Sequence, residues 1–331
     1  MAKRNNELAV SPIVATLVLI VVAVIGAVAV GTIMGSFSSD VSKKASAGQA
    51  AQASSTDVLI AGSFLMQPAM NLIAADYMAQ NPGITLNVQG GGSNAGLSST
   101  ANGISDVGTF AFKMRPTQYA AYPNVKENVV GYSGIVPIVN GGSIVTSNVT
   151  LSDLERAYSN DFTGTSLPAG ITTAVVTTYG EGFSDTFASL IGVQNIYSNQ
   201  NASVHFVDLG GEVVYYVSEH PNTIGYVPLE DALSIKPDGN GIKILDYAGT
   251  PKTHETDTIW PIYTWQSIRD AKNGVSNPLN FPVKAIHPLE ILTNGQPSAL
   301  GQSIISFTQS PDEAARFHGN NFVHISDVVT L

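Results

Sequence analysis

NPGITLNVQGGGSNAGL, residues 81–97, decides how the rest of the chain is read. Asn-Pro-Gly at 81–83 stops whatever helix precedes it, and ITLNVQ (84–89) has the β-branched alternation of a short strand. GGGSNAG (90–96) then turns that strand into the start of a helix. Free backbone N–H groups and the helix dipole at such a turn favour an anion. A tight strand-to-helix turn also needs glycine for its own sake, so both readings of the loop stand.

Working outward, VLIA (58–61) reads as a strand, followed by a helix with Leu65, Ala69, Leu72 and Ile73 on one face. Downstream, IVPIVN (135–140), AVVTTY (174–179) and TIGYVPL (223–229) read as strands and LSDLERAYS (151–159) as a helix. Strands alternating with helices predict an α/β protein with mostly parallel sheets. A second strand-to-glycine-to-helix turn, YGEGFSDTF (179–187), carries Glu181 between Gly180 and Gly182. Two such turns predict two lobes whose helix N-termini face each other across a cleft.

Composition excludes several classes. The chain has 331 residues, 44% of them hydrophobic, enough for one large or two smaller domains. Its net charge is −10; Lys3, Arg4, Lys43 and Lys44 against Glu7 and Asp40 leave +2 on residues 1–56, so the body carries −12. An acidic body repels phosphate backbones, which argues against a nucleic-acid partner. Without cysteine there is no disulfide, thiol nucleophile or cysteine metal site, which fits a location outside the cell. His205, His220, His254, His287, His318 and His324 show no metal-ligand spacing and read as surface or capping residues. Neither a Gly-x-Ser-x-Gly elbow nor a nucleotide phosphate loop is present. Asp185 reads as an acid in a helix first turn. No enzyme, metal or cofactor is expected.

At the N-terminus, Leu8 to Ser39 carries no charge, and Ile13 to Met34 is almost purely apolar. Such a run makes about 33 Å of helix, long enough for a bilayer and longer than a secretory signal's apolar region. Lys3 and Arg4 before it place the extreme N-terminus in the cytoplasm and the body outside. Ala23, Ala27, Gly31 and Gly35 recur every fourth residue, a ridge that suits helix against helix, although Ala and Gly are common in membrane helices anyway. Residues 8–37, LAVSPIVATLVLIVVAVIGAVAVGTIMGSF, resemble the N-terminal segment of archaeal type IV pilins. That resemblance implies a leader over 1–9 cleaved near Ala9–Val10, a retained filament-core helix over 10–41, and self-assembly through these helices. Ala- and Ser-rich residues 42–56 read as a linker.

The body, 57–331, resembles the type 2 periplasmic solute-binding proteins, specifically the phosphate-binding components of ABC transporters. GSFLMQP (62–68), NPGITLNVQGGGSNAGL (81–97), ISDVGTFAF (104–112), GIVPIVN (134–140), TTYGEGFSDTF (177–187) and HPNTIGYVPL (220–229) follow the family's order. The resemblance implies two α/β lobes, one from about 57–134 and 246–331 and the other from about 135–245, joined by crossing strands. It implies an oxyanion held by Ser63 and Phe64, by Gly92 and Ser93, and by a third loop here reading Gly180–Glu181–Gly182. The family's arginine in that third region is replaced by Thr177, and its acid falls near Phe110 and Ala111.

Those departures bear on affinity. A carboxylate about 4 Å from one phosphate charge costs roughly 4 kcal/mol at an effective dielectric of 20, nearly a thousandfold in binding. Threonine cannot replace the bidentate bonds of an arginine. Glu181 is open to three readings: a solvated carboxylate, a salt bridge to Lys113 or Arg115 that shuts the cleft, or a ligand for a cationic solute. The aromatic run IWPIYTW (259–265) resembles the family's return strand and reads as core, and Asn148 and Asn201 head glycosylation sequons. Two functions are compatible with this sequence: a pilin-like filament subunit displaying a degenerate anion-binding body at the cell surface, or a membrane-anchored receptor for phosphate or another oxyanion of an ABC transporter.

Overall fold

A computed structural model describes residues 56–143, 149–178, 182–193, 196–198, 203–234, 241–247, 263–275 and 281–329. The expected leader 1–9, the apolar segment 10–41 with Ala23, Ala27, Gly31 and Gly35, and the linker through residue 55 lie outside them. So do Asn148, Gly180, Glu181 and Asn201. Among the described residues no helix is long and apolar enough to cross a membrane.

Two βαβ units open the fold: β1 (Thr56–Gly62), α1 (Gln67–Gln80), β2 (Ile84–Gly90), α2 (Ser93–Ala101) and β3 (Val107–Ala111). β1 lies between β2 and β3 and runs parallel to both. α1 buries Ala69, Met70, Ile73, Ala74 and Tyr77. Leu72, expected on that face, is instead exposed: the buried stripe is centred one residue position away, on Ile73 and Tyr77. The helix ends at Asn81, and Gly83 follows with φ of 95°, a conformation that suits glycine.

After α3 (Pro116–Ala121), β4 (Val125–Asn140) runs for 16 residues. There follow α4 (Leu151–Tyr158), β5 (Thr173–Thr177), α5 (Gly182–Ile191), β6 (Val204–Val207), α6 (Gly210–Glu219), β7 (Thr223–Pro228), α7 (Leu229–Ser234) and β8 (Ile242–Ile244). The chain closes with α8 (Trp265–Lys272), β9 (Ile286–Asn294), α9 (Ala299–Thr308), α10 (Ala314–His318) and β10 (Val323–His324). Thr150 caps α4 by accepting from the Asp153 N–H at 3.1 Å while Asp153 accepts the Thr150 N–H at 3.0 Å, a reciprocal capping box.

The strand order is β2-β1-β3-β9-β4-β7-β5-β6. β4 belongs to both halves: Gly131 to Gly134 pair with Leu289 to Ile286 of β9, whereas Ile135 to Val139 pair with Pro228 to Ile224 of β7. The first lobe is therefore built from β1–β3, β9 and β10, and the second from β5–β8, with β4 crossing between them. The expectation of mostly parallel sheets fails at this crossing, where β3–β9, β9–β4, β4–β7, β4–β8 and β4–β10 are all antiparallel. A strand that enters one lobe from the other and is met by a returning strand must pair antiparallel; only the βαβ crossovers within each lobe impose parallel pairing. Of the expected return strand 259–265, Tyr263 is buried core and Trp265 begins α8, so its described part is not a strand. His287 is buried, neither a surface nor a capping residue, whereas His324, also buried, caps the turn that follows it by accepting the Ser326 N–H at 3.1 Å.

α2 lies close on its sheet because Gly96 lets it. A Cβ at 96 would come within 2.6 Å of Gly62 Cα and 2.8 Å of the Ala61 and Thr109 carbonyl oxygens, all backbone. Gly96→Ala is expected to destabilise the body by about 1–3 kcal/mol through overpacking, read as a lower denaturant midpoint with unchanged slope.

Candidate functional site

The carboxyl ends of β1, β2 and β3 gather Gly62, Ser63, Gly90 to Ser93, Thr109 and Ala111, the edge where open α/β sheets bind ligands. Backbone bonds knit this edge together. The Gly91 and Gly92 N–H groups both donate to the Gly62 carbonyl at 2.9 Å, and the Ser63 N–H donates to Thr109 O at 3.0 Å. Ser93 Oγ accepts the Ala111 N–H at 3.1 Å, and Ser63 Oγ accepts the Met66 N–H at 3.4 Å. Each hydroxyl keeps its own proton to donate, since accepting a bond leaves the O–H free to turn. α2 adds first-turn N–H groups that have no intrahelical partner. Phe64 stands beside them, 57% exposed, with its ring near Gly90 and Gly92.

Of the sequence-derived candidates, Ser63, Phe64, Gly92 and Ser93 therefore share one edge of the first lobe. Gly182, the first residue of α5, faces them from the second lobe across Phe112: a Cβ at 182 would lie 2.7 Å from that side chain. Gly180 and Glu181 lie outside the described residues. Thr177, where the resemblance implies an arginine, is fully buried and shares a hydrogen bond with Ser184, which also accepts the Tyr226 hydroxyl at 2.7 Å. A guanidinium has no place in that sealed hydroxyl chain.

Phe112, Ser133 and Glu230, which the sequence reading left aside, line the cleft with Arg115, Asp185 and His287. Phe112 follows β3 with φ of 144°, rare for a side chain of its size, and its ring lies 4.5 Å from His287 and 5.8 Å from Phe183 of α5. Arg115, at the start of α3, pairs through Nε with Asp185 of α5, whose other oxygen accepts the Tyr197 hydroxyl at 2.7 Å. This ion pair joins the two lobes; its cation is one that the sequence reading offered to Glu181. At the crossing itself, Ser133 stands opposite His287 in the β4–β9 register and donates to Glu230 Oε2 at 2.6 Å.

Burial governs the charges there. It pushes the Glu230 carboxyl well above the usual range, an effect the neighbouring Asp231 reinforces, so Glu230 is held protonated; the carboxyl is enclosed although the rest of the residue is partly exposed. Burial also raises Asp231 to about 6 and lowers His287 to about 3, which keeps that imidazole neutral. Among the described residues, no three His, Asp or Glu side chains gather as a metal site.

Residues 47–255 match the model of a PBP superfamily domain. Similar solved structures include a protein described as a phosphate ABC transporter substrate-binding protein from Clostridium perfringens with bound phosphate. It is 18% identical, with a TM-score of 0.63, covering 82% of this chain and 100% of that one. An ABC-type phosphate transport receptor from Vibrio cholerae is 18% identical, TM-score 0.56, covering 81% and 99%. PstS from Borrelia burgdorferi is 19% identical, TM-score 0.52, covering 83% and 100%. At these identities the likeness is one of fold.

Asp231 yields a pH test. Its folded pKa lies above the unfolded value, so the folded state holds the extra proton, and stability falls as pH rises from about 4 to about 6. Asp231→Asn removes that loss. The variant is expected to match the wild type at pH 4 and to exceed it at pH 7 by up to about 3 kcal/mol, read from denaturant midpoints at the two pH values. His287 acts alike in both chains and cancels from the difference.

Proposed function

Since this chain belongs to the PBP superfamily, we propose that its body is a receptor for a small oxyanion, phosphate or a close relative, held at the outer face of the membrane by the apolar segment 10–41 and serving an ABC transporter. The convergence of the Ser63 and Ser93 hydroxyls with the first turn of α2, at the carboxyl ends of β1–β3, is the observation that carries this reading. The phosphate proteins that share the fold support it. A receptor of this kind binds and releases; no bond-making step is assigned to it, and its affinity comes from hydroxyl and N–H donors rather than from an arginine at Thr177.

The second reading is a filament subunit of pilin type that displays this body while its anion site has decayed. Three observations favour it: the four-residue recurrence of Ala23, Ala27, Gly31 and Gly35, the loss of the arginine position to Thr177, and the carboxylate of Glu181 in the third loop. Display on a filament needs the body's fold and surface but not its ligand site.

Calorimetry of the full chain in detergent micelles with inorganic phosphate separates the two. The receptor reading expects saturable heat that Ser93→Ala weakens about 10- to 100-fold, the loss expected for one hydrogen bond to a charged group. No heat in the wild type, together with surface filaments sheared from cells that contain a chain starting near Val10, would replace the receptor with the filament subunit.

A further inference from the structure

In a two-lobed binding protein the solute ordinarily bridges the lobes, and the contacts it makes with both sides hold them together. Here side chains of the two lobes meet each other directly. Phe112 leaves β3 of the first lobe and meets the first turn of α5 in the second, with Gly182 against its side chain and Phe183 5.8 Å from its ring. Three residues on, Arg115 binds Asp185 in the same first turn, and Tyr197 fixes that carboxylate from behind.

Two features show that this contact is built in. Phe112 adopts a positive φ of 144°, a backbone conformation that non-glycine side chains keep only where surrounding structure enforces it. Residue 182 is glycine, and any larger side chain would collide with Phe112. A bulky ring in a strained conformation on one lobe is thus matched by a missing side chain on the other. The ion pair lies beside it, with the Arg115 side chain 16% and the Asp185 side chain 36% exposed, so it is shielded from solvent on the Arg115 side.

We infer that the segment Phe112–Arg115 is an internal clamp: it occupies the junction of the lobes and holds the cleft closed without a solute, using Phe112 as a wedge against Gly182 and Arg115 as a tether to Asp185. Opening requires the Phe112 ring to leave Phe183 and the guanidinium to leave its carboxylate together. The clamp goes beyond the receptor reading, because it operates equally in a body that binds nothing.

The chain has no cysteine, so Leu72→Cys on exposed α1 and Tyr215→Cys on exposed α6 give one spin label per lobe. Pulsed electron resonance on the full chain in detergent micelles then measures the separation of the lobes. The expected result is one narrow distance population, unmoved by millimolar inorganic phosphate, to which Arg115→Gln and Phe112→Ala each add a longer-distance population. Arg115→Gln keeps most of the side chain's packing and serves if Phe112→Ala fails to fold. A wild-type distance that shortens when phosphate is added would overturn the clamp, since closure would then belong to the solute. So would two distances in the wild type, or a distance unchanged in every folded variant. Phosphate that binds without moving the labels leaves clamp and receptor both standing; phosphate that does not bind, with the labels close together, removes the receptor alone.

Discussion

Everything in the body depends on one strand that cannot belong to a single lobe. β4 is 16 residues long, about 53 Å of extended chain, more than either sheet needs for itself. Up to Gly134 it is paired with β9, and from Ile135 onward with β7, so one set of backbone hydrogen bonds fixes the register of both halves. Ile135, Val136, Ile138 and Val139 are fully buried, as a strand covered on both faces requires. The cleft is a consequence of this shared strand: it brings the carboxyl ends of β1–β3 on one side to face the first turn of α5 on the other.

The residues around the crossing show how a buried polar junction is tolerated. Ser133 donates to Glu230, and Tyr247 donates to the Ile135 carbonyl at 2.8 Å, so the hinge is hydrogen-bonded on both sides of the switch in pairing. Glu230 is kept protonated and His287 neutral because neither could hold a charge at that depth without a partner. Arg115 and Asp185, which stay charged at the junction, have found each other. The same logic holds beside the cleft: Thr177 is tied into the buried hydroxyl chain with Ser184 and Tyr226, and Arg115 reaches the junction from the first lobe.

Local signals in the chain were legible wherever the chemistry is local. ITLNVQ forms β2, Ser93 opens α2, LSDLERAYS forms α4 behind its Thr150 cap as far as Tyr158, and the runs at 58–61 and 135–140 fall inside strands; the run at 174–179 is strand as far as Thr177, and that at 223–229 as far as Pro228, after which α7 begins. What went astray was set by neighbours distant in sequence. Leu72 is exposed because the sheet receives the stripe of Ile73 and Tyr77 instead, and the antiparallel pairs follow from strands that return beside β4 from far along the chain, as β9 does with partners 152 to 169 residues away. Phe112 gave no signal, since its glycine partner and its ring neighbours lie 70 to 175 residues away. Asp185 was legible as a first-turn acid, but its cation was not, for Arg115 reaches it from the other lobe.

By itself, then, the sequence determined what repeats and glycine turns can encode: an acidic, cysteine-free α/β body in a recognisable order of motifs, with donor-rich turns at Ser63 and Ser93. These depend on hydrogen-bond periodicity and backbone freedom within a few residues. Only the tertiary structure decided what fills the space between the lobes. Phe112 on Gly182, Arg115 on Asp185, and the charge states of Glu230, Asp231 and His287 all depend on how closely two separately built lobes approach, and β4 sets that distance after the whole chain has folded around it.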